Sequence, residues 1–419
     1  MAGDWEKTTL GAEVDLLTGF PFKSERYTDS ADSIPLVRGD NIVQGAMRWD
    51  GVKRWPLSER CEHSLYELRE GDVVLAMDRP WIEAGLKYAA ISKHDLPCLL
   101  VQRTARLRGG PRLDTRFLRY LIGSREFTQH IHAITTGTAV PHISGKQIKD
   151  FKFTLPPLAE QKAIAAVLRA LDDKIELNRR MNATLEAIAR ALFLSWFVDF
   201  DPVRAKLDGR QPVGMDSATA ALFPAHFDHK AEGVVPTGWR ATTLSEVIEI
   251  LDSKRIPLSG REREARKGKY PYHGAASVMD YVDDYLFDGI YTLMGEDGSV
   301  INEDGTPVLQ YVWGKFWVNN HAHVLRGKNG ISTEHLLLHL KGCNIAPFVN
   351  GAVQPKLNQG NMNRIPFMLP PPEIGKAFAM TIAPLFAQIR INTEQSRKLA
   401  TLRDTLLPKL LSGEIQTTI

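Results

Sequence analysis

Two stretches of basic side chains carry the clearest chemical signal in this chain of 419 residues. Seven arginines lie between Gln102 and Arg125, where the only acidic residue is Asp114. A second stretch, from Ser253 to Tyr270, holds seven lysines and arginines against two glutamates. Such clusters can neutralise the phosphates of a nucleic acid, although either one alone is also typical of a solvated helix face. The net charge of the whole chain is only +3, so the uneven distribution of charge carries the signal.

None of the common catalytic motifs is present in the sequence. It lacks a Gly-x-x-x-x-Gly-Lys-Ser/Thr phosphate loop, a His-Glu-x-x-His zinc motif, a Gly-x-Ser-x-Gly elbow, a Gly-x-Gly-x-x-Gly dinucleotide loop and the Asn/Asp-Pro-Pro-Tyr/Phe box of amino-methyltransferases. The pairs His321/His323 and His335/His339 have the spacing of metal ligands, but no third ligand is evident near either. The three cysteines are too widely spaced for a zinc site or a disulfide framework. We therefore predict no catalytic residue, metal or cofactor in this chain.

Composition and length describe a folded, soluble chain of more than one domain. Hydrophobic residues make up 43% and charged residues 24%, which is close to average soluble composition. At about 150 residues per domain, the length predicts two or three units. The first residues have no apolar core, and the longest compact apolar run, Ala191–Val198, is far shorter than the roughly 20 residues that a membrane crossing needs. We therefore expect a cytoplasmic protein.

The two halves of the chain repeat one another, which is the most informative feature of the sequence. With a shift of 214 residues, Phe153-Thr-Leu-Pro-Pro157 falls over Phe367-Met-Leu-Pro-Pro371. Upstream, Trp5-x-x-Thr-Thr-Leu10 matches Trp239-x-x-Thr-Thr-Leu244. Each half is therefore predicted to be a mixed domain followed by one long helix. Two copies are too few for a solenoid, so we predict an α+β fold with pseudo-twofold symmetry, in which two similar mixed α/β domains are separated by two long antiparallel helices.

Each predicted helix carries an apolar stripe with the four-and-three spacing of a coiled-coil seam. In the first helix the stripe runs from Ile164 to Trp196, and the shift of 214 residues gives a similar stripe from Phe378 to Leu410. At about 1.5 Å per residue, some 40 residues form a rod of roughly 60 Å, and one such rod cannot bury its stripe alone. Because a whole domain separates the helices, connectivity favours an antiparallel coiled coil.

Polar residues interrupt both stripes near their centres. They are Asn178, Asn182, Asn392 and Ser396. A buried polar layer here would fix the register of pairing at some cost in stability; the alternative is that these residues are partly exposed and have no such role. Two further positions depart from the pattern. Arg403 does not fit an apolar seam, and Pro384 predicts a kink, or a helix that ends near Ala383 and restarts.

The segment after the first domain resembles a known family. Residues 155–165, Leu-Pro-Pro-Leu-Ala-Glu-Gln-Lys-Ala-Ile-Ala, look like the conserved central helix of the specificity subunits of type I restriction-modification systems. Residues 196–206, 214–216 and 235–239 are similar to the linker of that family and to the start of its second domain. The resemblance implies target-recognition domain 1 at residues 1–154, a central conserved helix at 155–198, a linker at 199–236, target-recognition domain 2 at 237–368 and a C-terminal conserved helix at 369–412.

The resemblance implies a noncatalytic subunit that reads a bipartite DNA target, with one half-site per recognition domain. It implies two modification subunits as partners, which methylate adenine with S-adenosylmethionine bound to them rather than to this chain, and two ATP-dependent restriction subunits in some complexes. From the rod length, half-site centres on the order of one to two turns of B-DNA apart are expected. Two alternatives stay open: a scaffold whose twin domains bind protein partners, and a stand-alone nuclease or methyltransferase, which the missing motifs disfavour.

Candidate DNA contacts are cations, amides and aromatic residues on loops of each domain. In the first domain they are Arg79, Lys87, Tyr88, Thr136, His142 and Lys146, and in the second domain they are Lys269, Tyr270, His273, Lys315, Asn350 and Lys356. The two basic stretches are the expected source of phosphate contacts. Core packing is the alternative for aromatic members of the set such as Tyr270. Outward residues of the first helix, such as Arg169 and Asp173, are candidate contacts for the modification subunits or are simply solvated.

Overall fold

The computed structural model describes residues 5–82, 85–135, 141–230, 233–351 and 353–417. The chain divides into two compact units. Unit 1 consists of Met1–Leu177 and Gln395–Ile419, and unit 2 consists of Asn178–Glu394. Each unit contains a mixed α/β domain together with part of each of two 40-residue helices. The repeat in the sequence therefore corresponds to a repeat of structural elements.

Unit 1 is built around a four-stranded antiparallel sheet. Its strands are β1 (Glu6–Thr9), β2 (Val14–Thr18), β3 (Ser33–Val37), β4 (Arg54–Pro56), β5 (Val73–Ala76), β6 (Trp81–Ile82), β7 (Gly85–Leu86), β8 (Tyr88–Ala90), β9 (Leu99–Leu100), β10 (Thr104–Gly109) and β11 (Lys152–Leu155). Its helices are α1 (Leu10–Glu13), α2 (Thr115–Ile122), α3 (Arg125–Ile134), α4 (Gly145–Lys149) and the first part of α5 (Leu158–Phe197). The central sheet has the order β2-β10-β5-β8, a second sheet has the order β4-β3-β9, and β1 pairs with β11.

Unit 2 is built around a six-stranded sheet. Its helices are α6 (Asp201–Leu207), α7 (Ser217–Leu222), α8 (Leu244–Val247), α9 (Gly260–Ala265), α10 (Thr333–Leu340), α11 (Gln359–Asn363) and the first part of α12 (Pro372–Leu411). Its strands are β12 (Phe227–Lys230), β13 (Gly233–Pro236), β14 (Arg240–Thr243), β15 (Ile248–Ile250), β16 (Lys267–His273), β17 (Val278–Val282), β18 (Phe287–Gly295), β19 (Leu309–Val318), β20 (Ala322–Gly327) and β21 (Pro366–Leu369). The central sheet has the order β15-β20-β18-β19-β16-β17, and β14 pairs with β21.

The central sheets of the two units share one antiparallel arrangement. In unit 1, β10 lies between β2 and β5, and in unit 2, β20 lies between β15 and β18. The chain then enters a helix through the same local bond. The Gly109 N–H donates to Thr115 Oγ1 at 3.0 Å before α2, and the Gly327 N–H donates to Thr333 Oγ1 at 3.3 Å before α10. Each of these helices also has a side-chain N-cap, which satisfies a free N–H of its first turn.

The two long helices run antiparallel within each unit. In unit 1 the beginning of α5 meets the end of α12, because Leu168 and Leu410 lie in one buried core. In unit 2 the end of α5 meets the beginning of α12, with the rings of Trp196 and Phe378 centred 5.3 Å apart. The antiparallel direction expected from connectivity is confirmed, whereas knobs-into-holes packing along the seam stays a prediction.

The second long helix runs without a break through Pro384, so the break expected near Ala383 is wrong. Proline removes one N–H donor and leaves the carbonyl of Met380, four residues earlier, without its helical partner. Both Pro384 and Met380 are exposed, which leaves this side of the helix open to water. Ile382 and Phe386 are buried in the unit 2 core and hold the helix on both sides of the proline.

The segment between the first long helix and the second domain is a packed part of unit 2. It forms α6, α7 and the hairpin of β12 and β13. Val203 and Phe223 from this segment are buried in the same cluster as Trp239. Lys206 Nζ donates to the Ala220 carbonyl at 3.2 Å, which ties α6 to α7.

Helix α12 is long and apolar enough to cross a membrane by length and composition alone. A core helix passes the same test, and the apolar side chains of α12 serve as core residues. Ile374, Phe378 and Ile382 are buried in unit 2, and Leu410 is buried in unit 1. Packing inside the two units therefore accounts for part of the apolar composition of α12, whereas Met380, Ile391 and Leu402 are exposed.

Candidate nucleic-acid interface

Equivalent strands of the two units end next to an aspartate. β5 of unit 1 is followed closely by Asp78, and β18 of unit 2 is followed closely by Asp297. The N–H of the residue before each aspartate donates to the neighbouring strand segment, to the Arg103 carbonyl at 2.9 Å in unit 1 and to the His321 carbonyl at 2.8 Å in unit 2. We call Asp78 and Asp297 the strand-end aspartates. The repeated fold presents them at the same place in each unit.

Each strand-end aspartate forms a β-bridge to a residue proposed from the sequence. Asp78 bridges His142, and Asp297 bridges Lys356, which occupies the repeat position of His142. In unit 1, His142 Nδ1 lies 2.5 Å from Asp78 Oδ1, and Arg103 Nε lies 3.6 Å from Asp78 Oδ2. The Asp78 carboxylate is therefore occupied by two neighbouring side chains.

A cleft of about 330 Å³ opens beside Asp78, and we call it the first cleft. Its lining contains four cationic side chains and two carboxylates, which are Arg38, Arg79, Lys87, Arg103, Asp40 and Asp78. Arg38 Nη2 lies 3.0 Å from Asp40 Oδ2, so each carboxylate already has a cationic or imidazole partner in or beside the lining. The first cleft therefore offers hydrogen-bond donors and a net positive charge.

Lys87 is the buried cation of the first cleft. The residue is 9% exposed, and a methyl group placed on Gly39 would lie 3.9 Å from its Nζ. Burial lowers the pKa of Lys87 from its usual value, Asp40 opposes this effect, and Arg79 adds to it. Within the part of the chain that the structure describes, the amine has no hydrogen-bond or ion-pair partner. Because Lys87 lines the open cleft and partial loss of water around an ammonium costs free energy, the amine is well placed to bind a ligand.

Backbone strain is concentrated at the same cleft. Arg79 has a φ of 45° and Arg103 has a φ of 68°, in the left-handed region that residues with a Cβ seldom adopt. The other described non-glycine residues with positive φ, Phe200 and Asn329, lie elsewhere in the fold. Strain of this kind costs on the order of 1–3 kcal/mol per residue and tends to occur at functional sites. It sets the direction in which both arginines leave the backbone.

The corresponding region of unit 2, which we call the second cleft, has a different chemistry. It measures about 350 Å³ and is lined by Asp297, His321 and Gln354 with small residues from 274–277 and 298–299. Gln354 Nε2 donates to Asp297 Oδ1 at 2.9 Å, and His321 Nδ1 lies 3.8 Å from Asp297 Oδ2. No arginine or lysine is among the described residues of its lining. The second cleft therefore lacks the cationic donors that the first cleft offers.

A buried polar network lies next to the second cleft. His323 Nδ1 bonds Asp252 Oδ2 at 2.6 Å, and its Nε2 bonds the Leu357 carbonyl at 2.8 Å. Burial alone would raise the pKa of Asp252, but hydrogen bonds from His323 and from backbone hold it below its usual value. Arg255 Nη1 donates to Glu296 Oε2 at 2.6 Å. The network fixes the residues on either side of the strand end.

Two groups of three side chains among the described residues have ligand atoms close enough together for a metal ion. They are Glu59, Glu62 and His63, and Asp252, Glu296 and His323. In the first group, Glu59 is paired with Arg26. In the second, Arg255 lies 2.6 Å from Glu296 and 3.5 Å from Asp252, so a protein cation already neutralises the carboxylates. Neither arrangement argues for a metal.

A cluster of lysines and tyrosines forms a second basic surface in unit 2. Lys269 Nζ lies 5.2 Å from the centre of the Tyr270 ring, and Tyr270 packs against Tyr285 with 5.1 Å between ring centres. Lys315 Nζ lies 4.4 Å above the Tyr285 ring. Three sequence candidates therefore meet around Tyr285, which sequence reasoning missed because it lies outside the basic stretch. Both rings are half-buried, and cations beside aromatic rings suit phosphates and unstacked bases.

The family that contains this chain is decided by a match across both units. The family model described as the type I restriction modification DNA specificity domain matches residues 4–187 and again residues 236–401. The chain belongs to this family. It is a noncatalytic, DNA-recognising specificity subunit of a type I restriction-modification system, and the resemblance noted in the sequence is confirmed.

Relatives of the specificity subunit family align over most of the chain. The MjaIX specificity subunit of Methanocaldococcus jannaschii is 26% identical over 372 residues, covering 85% of this chain and 80% of the relative. The HindI specificity subunit of Haemophilus influenzae is 27% identical over 365 residues, covering 71% of this chain and 77% of the relative. The crystal structure of the type I S subunit from M. genitalium has a TM-score of 0.56 at 17% identity and covers 97% of this chain and 96% of that one. That likeness shows the shared fold.

Some sequence candidates in this specificity subunit do not line the clefts or belong to the aromatic cluster. Tyr88 packs against the unit 1 core, and burial raises its pKa. His273 is buried, with Nδ1 2.9 Å from Gln310 Oε1. Lys146 and Asn350 are exposed on the surfaces of their units, and Thr136 falls outside the described residues. Among the described members of this set, only Lys146 and Asn350 are exposed.

The asparagines at the middle of the helices make side-chain contacts within unit 2. Asn392 Nδ2 donates to Asn182 Oδ1 at 2.9 Å, and Asn178 Nδ2 donates to the Asn392 carbonyl at 3.3 Å. Asn178 and Asn392, which occupy the same repeat position, are both buried. Ser396 lies one turn further along α12 and is half-buried. The geometry suits a polar layer, and its role in fixing register stays a prediction.

Proposed function

We propose that each unit of this specificity subunit reads one half of a bipartite DNA target. The observation that carries the proposal is the repeated strand-end site, which places a cleft with charged side chains at the same loop position of both units. Two copies of one reader suit a target in two parts. The clefts differ in hydrogen-bonding character, which suits half-sites of different sequence.

The exposed cations support contacts to the phosphate backbone. In this proposal Lys146 of unit 1 and Lys269, Lys315 and Lys356 of unit 2 bind phosphates. Base edges are read from the clefts and the loops beside them. The candidates for base contacts are Arg79, Lys87, His142, Tyr270 and Asn350. In this proposal Tyr88 and His273, which are packed in the cores of their units, contribute to DNA binding indirectly through their packing.

The partners follow from the family. The proposed target-recognition domains are residues 1–154 and 237–368, and the helices at 155–198 and 369–412 carry two modification subunits. Those subunits bind S-adenosylmethionine and methylate adenine, and two ATP-dependent restriction subunits join the complex for cleavage. The assembly works in the cytoplasm. No side-chain cluster described here supplies a catalytic step, so the chemistry is assigned to the partners.

Reconstitution tests the proposed function. The purified chain is mixed with its modification subunit, S-adenosylmethionine and plasmid DNA, and methylated adenines are mapped by sequencing. We expect one bipartite motif to be methylated by the mixture and none by the chain alone. Methylation by the chain alone would contradict the noncatalytic assignment.

A DNA mobility shift separates this function from the scaffold alternative. The chain should retard DNA at low salt, and the double variant Lys87→Met with Lys356→Met should bind more weakly because both units lose a cation. A chain that binds no DNA at any salt concentration, with or without the modification subunit, would favour the scaffold.

A further inference from the structure

We propose that the first cleft reads a guanine in the half-site of unit 1, with Lys87 as the specificity-determining residue. The inference rests on the proposed DNA-reading function and adds to it the identity of one base. It is carried by the hydrogen-bonding groups of the cleft, by the burial of Lys87 and by the contrast with the second cleft.

The first cleft presents donors and has few acceptors left to offer. Its four cationic side chains can only donate hydrogen bonds. The two carboxylates of its lining are engaged, Asp40 by Arg38 at 3.0 Å and Asp78 by His142 at 2.5 Å. Tyr27 and Gln102 also line the cleft and can donate or accept. In the major groove guanine shows two acceptors, N7 and O6. Adenine and thymine each show one acceptor, beside an amino group and a methyl group respectively, and cytosine shows an amino donor. A cleft in which donors outnumber free acceptors therefore matches guanine best.

The burial of Lys87 favours a base contact over a phosphate contact. Phosphate contacts are made by exposed lysines that can follow a backbone, and the exposed Lys146 of the same unit is of that kind. The amine of Lys87 instead lies beside Gly39, with 9% of the residue exposed. A fixed amine in a confined space can discriminate between acceptors by position. The strained backbone of Arg79 and Arg103 holds two more donors at the same opening.

The second cleft shows what a different reader looks like on the same scaffold. Its strand-end aspartate, Asp297, is bonded by the amide of Gln354 and has a histidine, rather than an arginine, 3.8 Å away. Without a lysine or an arginine among its described lining residues, the second cleft lacks cationic donors for the acceptor edge of guanine. The inference therefore assigns the guanine to unit 1 only.

The test is a specificity profile of the reconstituted complex. Wild-type and Lys87→Met chains are each combined with the modification subunit and S-adenosylmethionine, and methylation is measured on a DNA library randomised at every position of the target. We expect Lys87→Met to lose discrimination at one guanine by about 10- to 100-fold, with other positions unchanged. The slope of binding against salt concentration should stay the same.

Lys146→Met is the matched control, because it removes the same charge from an exposed position of the same unit. It should weaken binding to all DNA sequences about equally. It should also reduce the slope of the logarithm of the binding constant against the logarithm of salt concentration by about the amount that one phosphate contact contributes. The inference is overturned if Lys87→Met, like Lys146→Met, weakens binding to all sequences equally. It is also overturned if the target position at which Lys87→Met loses discrimination is not a guanine. Should the wild-type complex methylate no specific sequence, the proposed function fails instead.

A second variant protects the test against misfolding of Lys87→Met. Gly39→Ala adds a methyl group 3.8 to 3.9 Å from Ala76 Cβ, the Asp78 carbonyl and Lys87 Nζ, which is ordinary contact distance, so the fold has room for it. The methyl group narrows the floor of the cleft beside the amine. We expect Gly39→Ala to reduce discrimination at the same guanine position. An unchanged specificity profile in a folded Gly39→Ala protein would count against the inference.

Discussion

The two units differ most where the recognition domain meets the long helices. In unit 1 this junction centres on Asp172 of α5, which accepts hydrogen bonds from Tyr120 Oη and Arg403 Nη1, each at 2.9 Å. Arg119 Nη2 lies 3.4 Å from the same carboxylate. In unit 2 the four repeat-equivalent positions are apolar and belong to one buried cluster, formed by Leu337, Leu338, Phe386 and Ala189.

The comparison shows that the repeated backbone accepts either a polar or an apolar junction, provided that all four side chains of the junction change together. Facing a phenylalanine, Arg403 would lose Asp172 and keep only the exposed Asp404 as an acceptor, and a carboxylate among leucines would lose its donors. The misfit that the sequence showed at Arg403 is explained in this way. Arg403 departs from the apolar stripe because Asp172 departs from it too.

Breaking the junction of unit 1 should have the largest effect. Asp172→Phe introduces the unit 2 residue alone and leaves Arg119 and Arg403 without their shared carboxylate. We expect the free energy of unfolding of unit 1 to fall by about 3 kcal/mol, measured by urea denaturation of the full chain. A single variant as stable as wild type would show that the polar junction contributes nothing.

The control for this variant replaces the other three junction residues of unit 1 by their unit 2 equivalents as well. Adding Arg403→Ala, Arg119→Leu and Tyr120→Leu to Asp172→Phe gives unit 1 all four residues of the unit 2 junction. We expect most of the lost stability to return, because no unpaired charge remains. Failure to recover would mean that the two backbones differ more than the repeat indicates.

The two units should also differ in their response to acid. Helix α10 of unit 2 buries His335 where α2 of unit 1 has Phe117. Burial lowers the pKa of His335 to about 3, from an ordinary value of 6.5. Below about pH 6.5 the unfolded chain binds a proton that the folded chain does not, so stability falls as the pH drops from about 6.5 toward 3.

His335→Phe should remove the part of this loss that His335 causes, whereas His339, whose pKa burial lowers to about 4, keeps its own part. At pH 5 we expect the variant to gain about 2 kcal/mol relative to wild type beyond any difference at pH 7, measured by urea denaturation at both pH values. The reciprocal variant, Phe117→His, should make unit 1 sensitive to acid. If the free energy of unfolding had the same pH dependence in wild type and in His335→Phe, His335 would not be a cause of the loss of stability in acid.

The smallest expected effect concerns the cation that only the first cleft buries. Lys87→Met should stabilise unit 1 by about 1 kcal/mol at pH 7, because the folded state no longer buries an unpaired ammonium. The gain should disappear as the pH approaches about 10.4, where the unfolded lysine also loses its proton. Lys146→Met, at an exposed position, should stay within about 0.5 kcal/mol of wild type. A destabilised Lys87→Met protein would show that the amine has a structural role.

The sequence predicted the long helices and their direction because those features are periodic and repeated. The stripe from Ile164 to Trp196 and its copy from Phe378 to Leu410 mark the buried faces directly. The break at Pro384 was wrong because the pattern of apolar residues did not show that the proline lies on an exposed face. A proline is tolerated there when the carbonyl that it frees can reach water.

The clefts could be predicted only in part. Asp78, Arg103 and His142 come from three separate segments, and their meeting depends on strand pairing that the sequence does not specify. Lys87 and Tyr88 were both proposed, although consecutive residues of an extended chain face opposite sides, so only one could line a cleft. The repeat itself held an unused signal, because Asp78 and Asp297 are equivalent acidic residues after equivalent strands.

The division of the long helices between the units has a consequence for biosynthesis. Unit 2 is a continuous stretch, Asn178–Glu394, and all of its residues have been synthesised before the last part of α12 is translated. Unit 1 needs Gln395–Ile419 as well, since Leu410 fills its core beside Ile164 and Leu168. The amino-terminal recognition domain, although made first, is therefore the last to close its hydrophobic interior. A truncated product of a premature stop codon near residue 395 would keep a finished second domain and leave the first one open to proteases.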